Sequence, residues 1–542
     1  MKKIRFLFIV ISTLTLTMLV SSCTDLTEEP FSEITEENFN PTSEDIPRLL
    51  APAYTNLRWY MACCYDYVSM QEGAGDSYIT PSRPNGWGGP YLPYHWHEWT
   101  PTHLHVNVGW DNWINGINAA NRVLYQVQNL IEVEPDVLAG LVAEIRALRA
   151  FNYYNLLDNY GSVPIVTDFL DESLPTQSSR QEVFNFVETE LLESIPDLTE
   201  TVDQSTYGRM HKWAAMTLLA RLYLNAEVYT GTERWDDVIE YTDEVIGSGI
   251  FELESDYRNN FVQSNQNSSE IIFVIPYDEV FAGGNTMHMR TLAPEQQQSF
   301  RMSAQPWGGS AATPQSIETY DEGDTRLDDT WSGGPQRNPA GDVVIDFTKS
   351  IPEMGATQFR HGFRVNKYEI YEGMTASSDV DYPVFRYSLV LMMKAEALLR
   401  TNRPGEAATL VTEVRERAFS ETDPSKATVS AAELQEGSAF NYGNIDPATF
   451  DEENDTIGYV DVQGGADVVY GRFLDELLWE FTNEGFRRND MIRFQTTSGQ
   501  SVYTAKRWFE KTPSESCREV FPIPQSAIDD NPNLAQVDNC FD

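Results

Sequence analysis

Apolar side chains recur with helical spacing near both ends of the chain. Between residues 139 and 160, one apolar stripe follows Leu141, Ile145 and Leu148, and alanines with aromatic residues form a second. A helix that is apolar on two faces packs between neighbours on both sides. The same spacing predicts further helices over residues 43–60, 110–131, 180–194, 210–229, 235–246, 385–399, 404–419 and 473–481.

Short breaks separate several of these helices, so neighbouring helices are expected to pair antiparallel, as in a helical solenoid. Residues 250–380 differ, because they are rich in Gly, Pro, Asn and Gln with brief β-like runs such as residues 271–275. We therefore predict a mostly α, helical-repeat domain over residues 41–542. Its core would span about 41–250 and 381–542, with a loop-rich insertion at about 251–380, a smaller one at 425–470 and a few short strands.

The first residues have the pattern of a bacterial export signal that ends in a lipid-attachment cysteine. Lys2, Lys3 and Arg5 precede an apolar run over residues 6–20, and the sequence VSSC at residues 20–23 resembles the bacterial lipobox. The run is shorter than the ~20 residues that cross a bilayer, which argues against an N-terminal anchor helix. We predict a signal peptide over residues 1–22, lipid attachment at Cys23 and an acidic flexible leash over residues 23–40. The alternative is an ordinary secretory peptide followed by an incidental cysteine.

Composition narrows the possible partners. The chain has 542 residues, 41% of them hydrophobic, so it can bury a large core. Its formal net charge is -44, and removal of residues 1–22 with their three basic side chains would bring it to -47. Such an acidic protein repels phosphate, which disfavours nucleic acid and anionic lipid headgroups. Anionic polysaccharides are disfavoured more weakly, since a local basic patch could hold one.

Five cysteines are too few for a disulfide framework to carry a fold of this size. With Cys23 lipidated, four remain in a compartment expected to be oxidising. Cys517 and Cys540 could pair across a C-terminal loop. The adjacent Cys63 and Cys64 do not form a metal-binding motif.

Five colinear segments carry a resemblance to one known family. They are AEIRALRAFNYYNLLDNYGSVPIV at residues 143–166, GRMHKWAA at 208–215, FRYSLVLMMKAEALLR at 385–400, FLDELLWEFTNEGFRRNDMIRF at 473–494 and VFPIPQSAIDDNPNLAQ at 520–536. They resemble the SusD/RagB family of outer-membrane glycan-binding lipoproteins of Bacteroidetes. The resemblance implies about four tetratricopeptide-like helix pairs, although the W-x₂-L-G-x₂-Y repeat signature is not evident.

The resemblance also implies a function and a place in the cell. It implies a non-catalytic protein without a cofactor, anchored by lipid in the outer membrane and facing the cell exterior. It further implies a partner, a SusC-like TonB-dependent transporter that receives the captured oligosaccharide. The charged residues of the family segments, such as Arg386, Glu480 and Glu484, lie beside apolar stripes, so we interpret them as determinants of the fold.

Candidate ligand contacts concentrate in residues 73–113, which lack regular periodicity. Sugar rings present apolar C–H faces and a rim of hydroxyls, so they bind to flat aromatic groups with polar groups beside them. Trp87 lies in the sequence PNGWGGP, whose glycines and prolines force surface turns. We predict that Trp87 contacts glycan, and we consider Tyr91, Trp96 and Trp99 as further contacts. Trp110 and Trp113 are expected instead to pin the loop to the core.

Two more tryptophans lie beside glycines in the middle insertion. Trp307 lies in QPWGGS and Trp331 in DTWSGG. The resemblance implies a site built from the first loop together with aromatic residues of this insertion, so we expect Trp87, Trp307 and Trp331 to form one exposed platform. Polar candidates for sugar hydroxyls are Asp76, Arg83, Asn85 and Gln305.

Four histidines crowd the same first loop, namely His95, His97, His103 and His105. Alternating histidines can bind zinc or copper, but no cysteine or fixed carboxylate spacing accompanies them. We therefore expect hydrogen-bonding histidines and no metal site. Acidic clusters such as residues 451–453 could hold calcium, although 82 carboxylates make such clusters expected by chance.

The leading hypothesis is a glycan-binding protein, and two other classes stay open. A glycoside hydrolase or lyase would need a carboxylate pair, which cannot be nominated among so many acids. A protein-binding helical-repeat adaptor would suit the fold but would not explain the tryptophan loops. Because the net charge opposes a polyanion, we expect a neutral glycan, with a β-glucan such as laminarin first and a fructan or α-glucan next.

The lipid anchor yields a direct prediction. Cys23→Ala should prevent membrane anchoring and leave folding intact, because the cysteine precedes every predicted core helix. Detergent phase partitioning measures the effect. If the variant still enters the detergent phase at the wild-type level, the attachment site is not Cys23.

Overall fold

A computed structural model describes residues 45–62, 67–536 and 539–541 of the chain. The predicted signal peptide, Cys23 and the leash lie outside the described residues, and so do Cys63 and Cys64. In the described part of the chain, no helix is both long enough and apolar enough to span a bilayer.

Helices make up most of the regular structure. The first nine in chain order are α1 Ile46–Met61, α2 Tyr67–Gly73, α3 Leu92–Trp96, α4 Leu104–Leu130, α5 Pro135–Tyr160, α6 Arg180–Ser194, α7 Lys212–Leu224, α8 Ala226–Thr230 and α9 Trp235–Gly247. They are followed by α10 Met287–Thr291, α11 Pro314–Ile317, α12 Arg326–Thr330, α13 Tyr387–Arg400, α14 Pro404–Phe419, α15 Gly471–Phe481, α16 Arg487–Arg493, α17 Val502–Ala505 and α18 Gln525–Asp530.

Eight of these helices pack in one continuous series, α1–α4–α5–α6–α7–α9–α13–α14, in which each contacts the next. The series forms four consecutive pairs. Helix α5 shows why it holds together, because all of its residues from 147 to 160 are buried. A helix buried on every side needs a neighbour on both faces, as its two apolar stripes predicted. The predicted helical-repeat core is therefore confirmed.

Within the described residues, the strands form five separate two-stranded antiparallel sheets. They are β1 Tyr78–Ile79, β2 Ile271–Ile275, β3 Ala311–Ala312, β4 Trp331–Ser332, β5 Gly334–Arg337, β6 Val343–Phe347, β7 Arg364–Val365, β8 Tyr382–Arg386, β9 Ser438–Asp451 and β10 Thr456–Gly465. Six of them, β2 to β7, lie within the loop-rich insertion. The sheet β1–β3 joins the first aromatic loop to this insertion, since Tyr78 pairs with Ala312.

The sequence predicted several elements to the residue and missed others. Helices α6 and α14 and strand β2 have the predicted bounds. The long hairpin in the second insertion, where β9 has 14 residues and β10 has 10, was not predicted. Helix α4 begins at Leu104, before the predicted start, so Trp110 and Trp113 lie inside the helix and are buried as expected.

A buried ionic network joins the helical series to the insertion. Glu480 of α15 forms ion pairs with three arginines from three other elements, Arg417 at 2.6 Å and Arg386 and Arg326 at 3.2 Å each. Burial alone would raise the pKa of Glu480, but these guanidinium groups outweigh it and lower the pKa to about 2. The interpretation of Arg386, Glu480 and Glu484 as fold determinants agrees with their complete burial.

The C-terminal segment closes over the first aromatic loop. Arg518 donates a hydrogen bond of 2.6 Å to the carbonyl of Trp99, and Phe521 packs on the same tryptophan with ring centroids 4.8 Å apart. Cys517 and Cys540 form a disulfide with their Cα atoms 6.1 Å apart, as the sequence suggested.

The network yields a stability prediction. Glu480→Gln should lower the free energy of unfolding at neutral pH by about 3 to 5 kcal/mol, the usual cost of removing one member of a buried ion pair. The control is Glu406→Gln, which breaks an exposed pair with Arg403 and should change stability too little to measure. Urea unfolding gives both values.

The pH dependence separates charge from packing. The folded pKa of Glu480 lies below the value of about 4.5 in the unfolded chain, so its stabilising contribution is complete above that pH. The contribution disappears as the pH falls toward 2. The difference in the free energy of unfolding between wild type and Glu480→Gln should become smaller over this pH range. A difference that stays constant would contradict an electrostatic origin.

Candidate functional site

Two tryptophans from distant parts of the chain meet at the wall of an open cleft. The Trp87 and Trp307 ring centroids are 5.2 Å apart with the planes inclined by 34°, and the Tyr91 ring centroid lies 5.7 Å from that of Trp87. The volume of the cleft is about 470 Å³, which is within the range typical of ligand sites. This aromatic cleft is lined by Asn85, Gly86, Trp87, Gly88, Pro90, Tyr91, His105 and Trp307.

The turn that carries Trp87 is fixed by its backbone. Gly88 has φ +106, and a Cβ there would lie 2.1 Å from the carbonyl oxygen of Pro81, so only glycine fits. The Asn85 side chain accepts a hydrogen bond of 3.1 Å from the Trp87 amide and donates one of 2.8 Å to the Trp307 carbonyl. One amide side chain therefore holds both tryptophan segments together.

Arg83 stabilises the cleft through hydrogen bonds to the backbone of both tryptophan loops. It is 3% exposed, and its Nε and Nη2 atoms donate hydrogen bonds of 3.1 and 2.8 Å to the carbonyl of Gly309, two residues after Trp307. Its backbone amide donates to the Trp87 carbonyl at 2.7 Å. Its Nη1 donates to the carbonyl of His361 at 3.0 Å. Arg83, predicted as a sugar contact, instead fixes the two tryptophan loops relative to each other.

The aromatic cleft carries no formal charge at neutral pH. The only titratable groups in its lining are the Tyr91 phenol and the His105 imidazole. Burial, with smaller effects of His103 and Arg290, lowers the pKa of His105 to about 3, so the ring is neutral. His105 packs on Tyr91 with centroids 4.6 Å apart. The cleft can therefore stack apolar ring faces and exchange hydrogen bonds, but it cannot hold an ion by charge.

Two of the tryptophans predicted to contact glycan are buried outside the aromatic cleft. Trp331 is 3% exposed in β4, where it pairs with Val365 and packs against Tyr78 and Ile317, so the expectation of an exposed ring is wrong. Trp99 is 1% exposed. The glycines beside Trp331 reflect strand ends rather than a surface turn, and a buried ring offers no face to a ligand. Neither residue belongs to the aromatic cleft.

The remaining candidates divide between structural and peripheral positions. Trp96 is half-buried against the main core, hydrogen-bonds to the Glu510 carboxyl group and does not line the cleft. Asp76 is completely buried in an ion pair with Arg487, with Nε and Oδ1 2.6 Å apart. Gln305 is exposed outside the lining. Of the predicted residues, the structure brings together Trp87, Trp307, Tyr91 and Asn85; the others lie elsewhere.

The four histidines do not converge as a set of metal ligands. His97 hydrogen-bonds to Ser514 and to the Ala74 carbonyl, and His103 to the Pro90 carbonyl. Among the described residues, the one cluster with metal-ligand spacing contains Glu515 and the two disulfide cysteines. His105 alone of the four lines the aromatic cleft, which could not be predicted because nothing in the spacing separates it from the other three.

Comparisons with known proteins agree with this architecture. The model of the family described as "SusD family" matches residues 354–539, and the model described as "Starch-binding associating with outer membrane" matches residues 76–224. The starch-binding protein SusD of Bacteroides thetaiotaomicron is 26% identical over 504 residues, covering 81% of this chain and 79% of that protein. SusD-like protein P38 of Formosa agariphila is 24% identical over 445 residues, covering 77% and 82%.

Solved structures share the fold. Surface glycan-binding protein A from Bacteroides thetaiotaomicron, in complex with laminarihexaose, has a TM-score of 0.69 at 20% identity, covering 92% of this chain and 99% of that one. A laminarin-binding SusD-like protein has a TM-score of 0.66 at 17% identity, covering 91% and 99%. The helical-repeat fold is thus the one that this chain shares with these SusD-like structures. This chain is similar to SusD/RagB proteins, with family-model matches over two separate segments and the same fold as the solved structures.

The position of Trp87 can be tested without removing its ring. A Cβ at Gly309 would lie 1.9 Å from Nε1 of Trp87, so Gly309→Ala should push the indole away from Trp307. The control is Gly89→Ala in the Trp87 turn, where a Cβ meets open space. Near-ultraviolet circular dichroism should lose a paired-indole signal in the first variant only. Equal spectra, with equal melting temperatures, would contradict the contact.

Proposed function

We propose that this protein is a non-catalytic, lipid-anchored outer-membrane protein that binds a neutral glycan in the aromatic cleft and passes it to a SusC-like transporter. The observation that carries the proposal is the Trp87–Trp307 pair, two half-buried rings from separate loops that share one open cleft. Such rings offer the flat apolar surface on which a sugar ring stacks.

The chemistry of the lining favours a neutral ligand. Stacking faces come from the half-buried Trp87 and Trp307, and the Asn85 amide lies exposed beside them to pair with hydroxyl groups. An anionic polysaccharide would find no cation in this lining and would be repelled by the acidic protein around it. Uncharged donors and acceptors beside aromatic faces support a neutral sugar.

A β-glucan is the first candidate among neutral glycans. The two indole rings are tilted and not coplanar, with an inclination of 34°, which suits a twisted polysaccharide. The names of relatives point to two glucans, since one is called a starch-binding protein and one solved structure is a complex with laminarihexaose. An α-glucan or a fructan follows the β-glucan in our ranking.

The proposed cell-surface location and transporter partner are supported by the N-terminal sequence and by family similarity, not by the cleft. The VSSC sequence at residues 20–23 supports lipid attachment at Cys23. A matched family model is described as associating with the outer membrane, which supports that membrane. The outward-facing orientation and the delivery of glycan to a SusC-like transporter follow from the family resemblance.

The enzyme and the adaptor fit the cleft less well. A glycosidase places two carboxyl groups beside the scissile bond, at about 5 to 10 Å from each other. The residues that line the aromatic cleft include no carboxylate, which supports binding over hydrolysis. An adaptor would not need an uncharged cleft walled by paired indoles.

Substitution of the two rings tests the proposal. Trp87→Ala and Trp307→Ala should each weaken binding of laminarihexaose by about 1 to 3 kcal/mol, the range for truncated aromatic anchors, with little change in melting temperature. Titration calorimetry beside thermal unfolding measures both quantities. Released reducing ends during incubation would indicate an enzyme instead.

Two matched tryptophan controls make the result specific. Trp59→Ala removes a ring that is 67% exposed and does not line the cleft, so affinity and stability should both stay unchanged. Trp331→Ala removes a core ring and should lower the melting temperature while the folded protein keeps its affinity. If Trp87→Ala behaves like either control, the aromatic cleft is not the binding site.

A further inference from the structure

A second open cleft lies on the helical side of the molecule, formed by α4, α5, α6 and the chain after α5. Its volume is about 430 Å³, close to that of the aromatic cleft, and the two share no lining residue. We propose that this lateral cleft is a second binding site for a neutral saccharide. The choice of a saccharide rests on the proposed function, whereas the site itself stands on its own geometry.

The lateral cleft has an aromatic wall that continues past its rim. Tyr125 lines the cleft and is half-buried, and its ring centroid lies 5.8 Å from that of Phe169 with the planes inclined by 39°. Phe169 is 40% exposed. This pair resembles the tilted Trp87–Trp307 arrangement in both spacing and inclination. Exposed rings of this kind mark a binding surface when polar groups surround them.

Hydrogen-bonding groups with spare capacity surround the pair. Arg146 is 25% exposed and uses Nε and Nη2 on Glu190 and Glu193, and Nη1 has no partner among the described residues. The Oδ1 atom of Asp168 accepts from the Leu170 amide at 2.8 Å, which leaves Oδ2 available. These groups offer both donors and acceptors, which hydroxyl groups require.

The guanidinium groups of the cleft are held in place by salt bridges. Arg149 is buried and pairs with Glu190 at 2.6 Å, and it also donates to Asn121 at 2.7 Å. Because Glu190 and Glu193 already compensate Arg146 and Arg149, the cleft has no excess positive charge to attract an anion. A rigid wall with balanced charge and a stacking surface suits an uncharged, hydroxyl-rich ligand.

Binding in the lateral cleft can be measured once the aromatic cleft is disabled. The background is a Trp87→Ala/Trp307→Ala double variant, and the probes are laminarihexaose, maltohexaose and an inulin-type fructan. Saturation-transfer NMR should detect a residual weak signal for at least one probe. Adding Phe169→Ala or Gln128→Ala should reduce that signal at least fivefold, since the first removes the outer ring and the second an amide of the lining.

The control is Phe281→Ala, which removes a phenylalanine that is 89% exposed and outside both clefts, and should leave the signal unchanged. Absence of residual signal in the double variant, with binding by the wild type, would overturn the second site and leave the proposed function standing. A residual signal insensitive to Phe169→Ala and Gln128→Ala would also overturn it, since the sugar would then bind elsewhere. If the wild type binds none of the probes, both proposals fail.

Discussion

The buried carboxylate of Glu480 is the interaction on which most of the architecture depends. Its partners come from β8, α12 and α14, so one side chain of α15 connects the end of the helical series with the loop-rich insertion. Glu270, just before β2, pairs with two of the same arginines, Arg386 and Arg417, both at 2.5 Å. Charges this deeply buried are costly unless every partner is present, so the elements are fixed relative to one another. The insertion has no large sheet of its own, and this network helps to give it a fixed position.

Contacts with this insertion also hold the aromatic cleft rigid. At the tip of the β9–β10 hairpin, Asp455 accepts hydrogen bonds from the amides of Lys349 and Ser350 at 2.7 and 2.8 Å. Glu452, also at the tip, contacts His361, whose carbonyl accepts from Arg83. Contacts therefore run from the hairpin to the backbone beneath both tryptophans. Rings held this way lose little freedom when a ligand stacks on them, which improves affinity without new contacts.

Local signals explain what the sequence could predict. Helix α6 begins where Ser179 and Glu182 form a reciprocal capping box, and α14 begins with Pro404 in its first turn; both signals are readable from adjacent residues. The β9–β10 hairpin escaped prediction because Gly443 and Pro447 interrupt β9 and register shifts interrupt its pairing. Its stability comes from docking onto distant loops, which no local pattern reveals.

In the candidate site, too, local sequence signals identified residue types but not which side chains are exposed. Glycines flank Trp87, Trp307 and Trp331 alike, so the sequence selected all three, yet only pairing of β4 with β7 decides that Trp331 faces the core. The same holds for polar residues, since Arg83 and Asp76 are buried by partners far away in the chain. Residue type identified the chemistry of the cleft, whereas exposure followed from tertiary contacts.

Charge distribution gives the final constraint on the ligand. The chain has a formal net charge of -44, yet the lining of the aromatic cleft has none at neutral pH, because its one histidine is kept neutral by burial. The acidic groups lie elsewhere on the molecule and repel anions before they reach the cleft. Selection at the cleft itself must then depend on ring shape and hydroxyl geometry, to which the paired indoles and the Asn85 amide respond directly. An acidic exterior around an uncharged aromatic site thus favours neutral sugars twice, once during approach and once during binding.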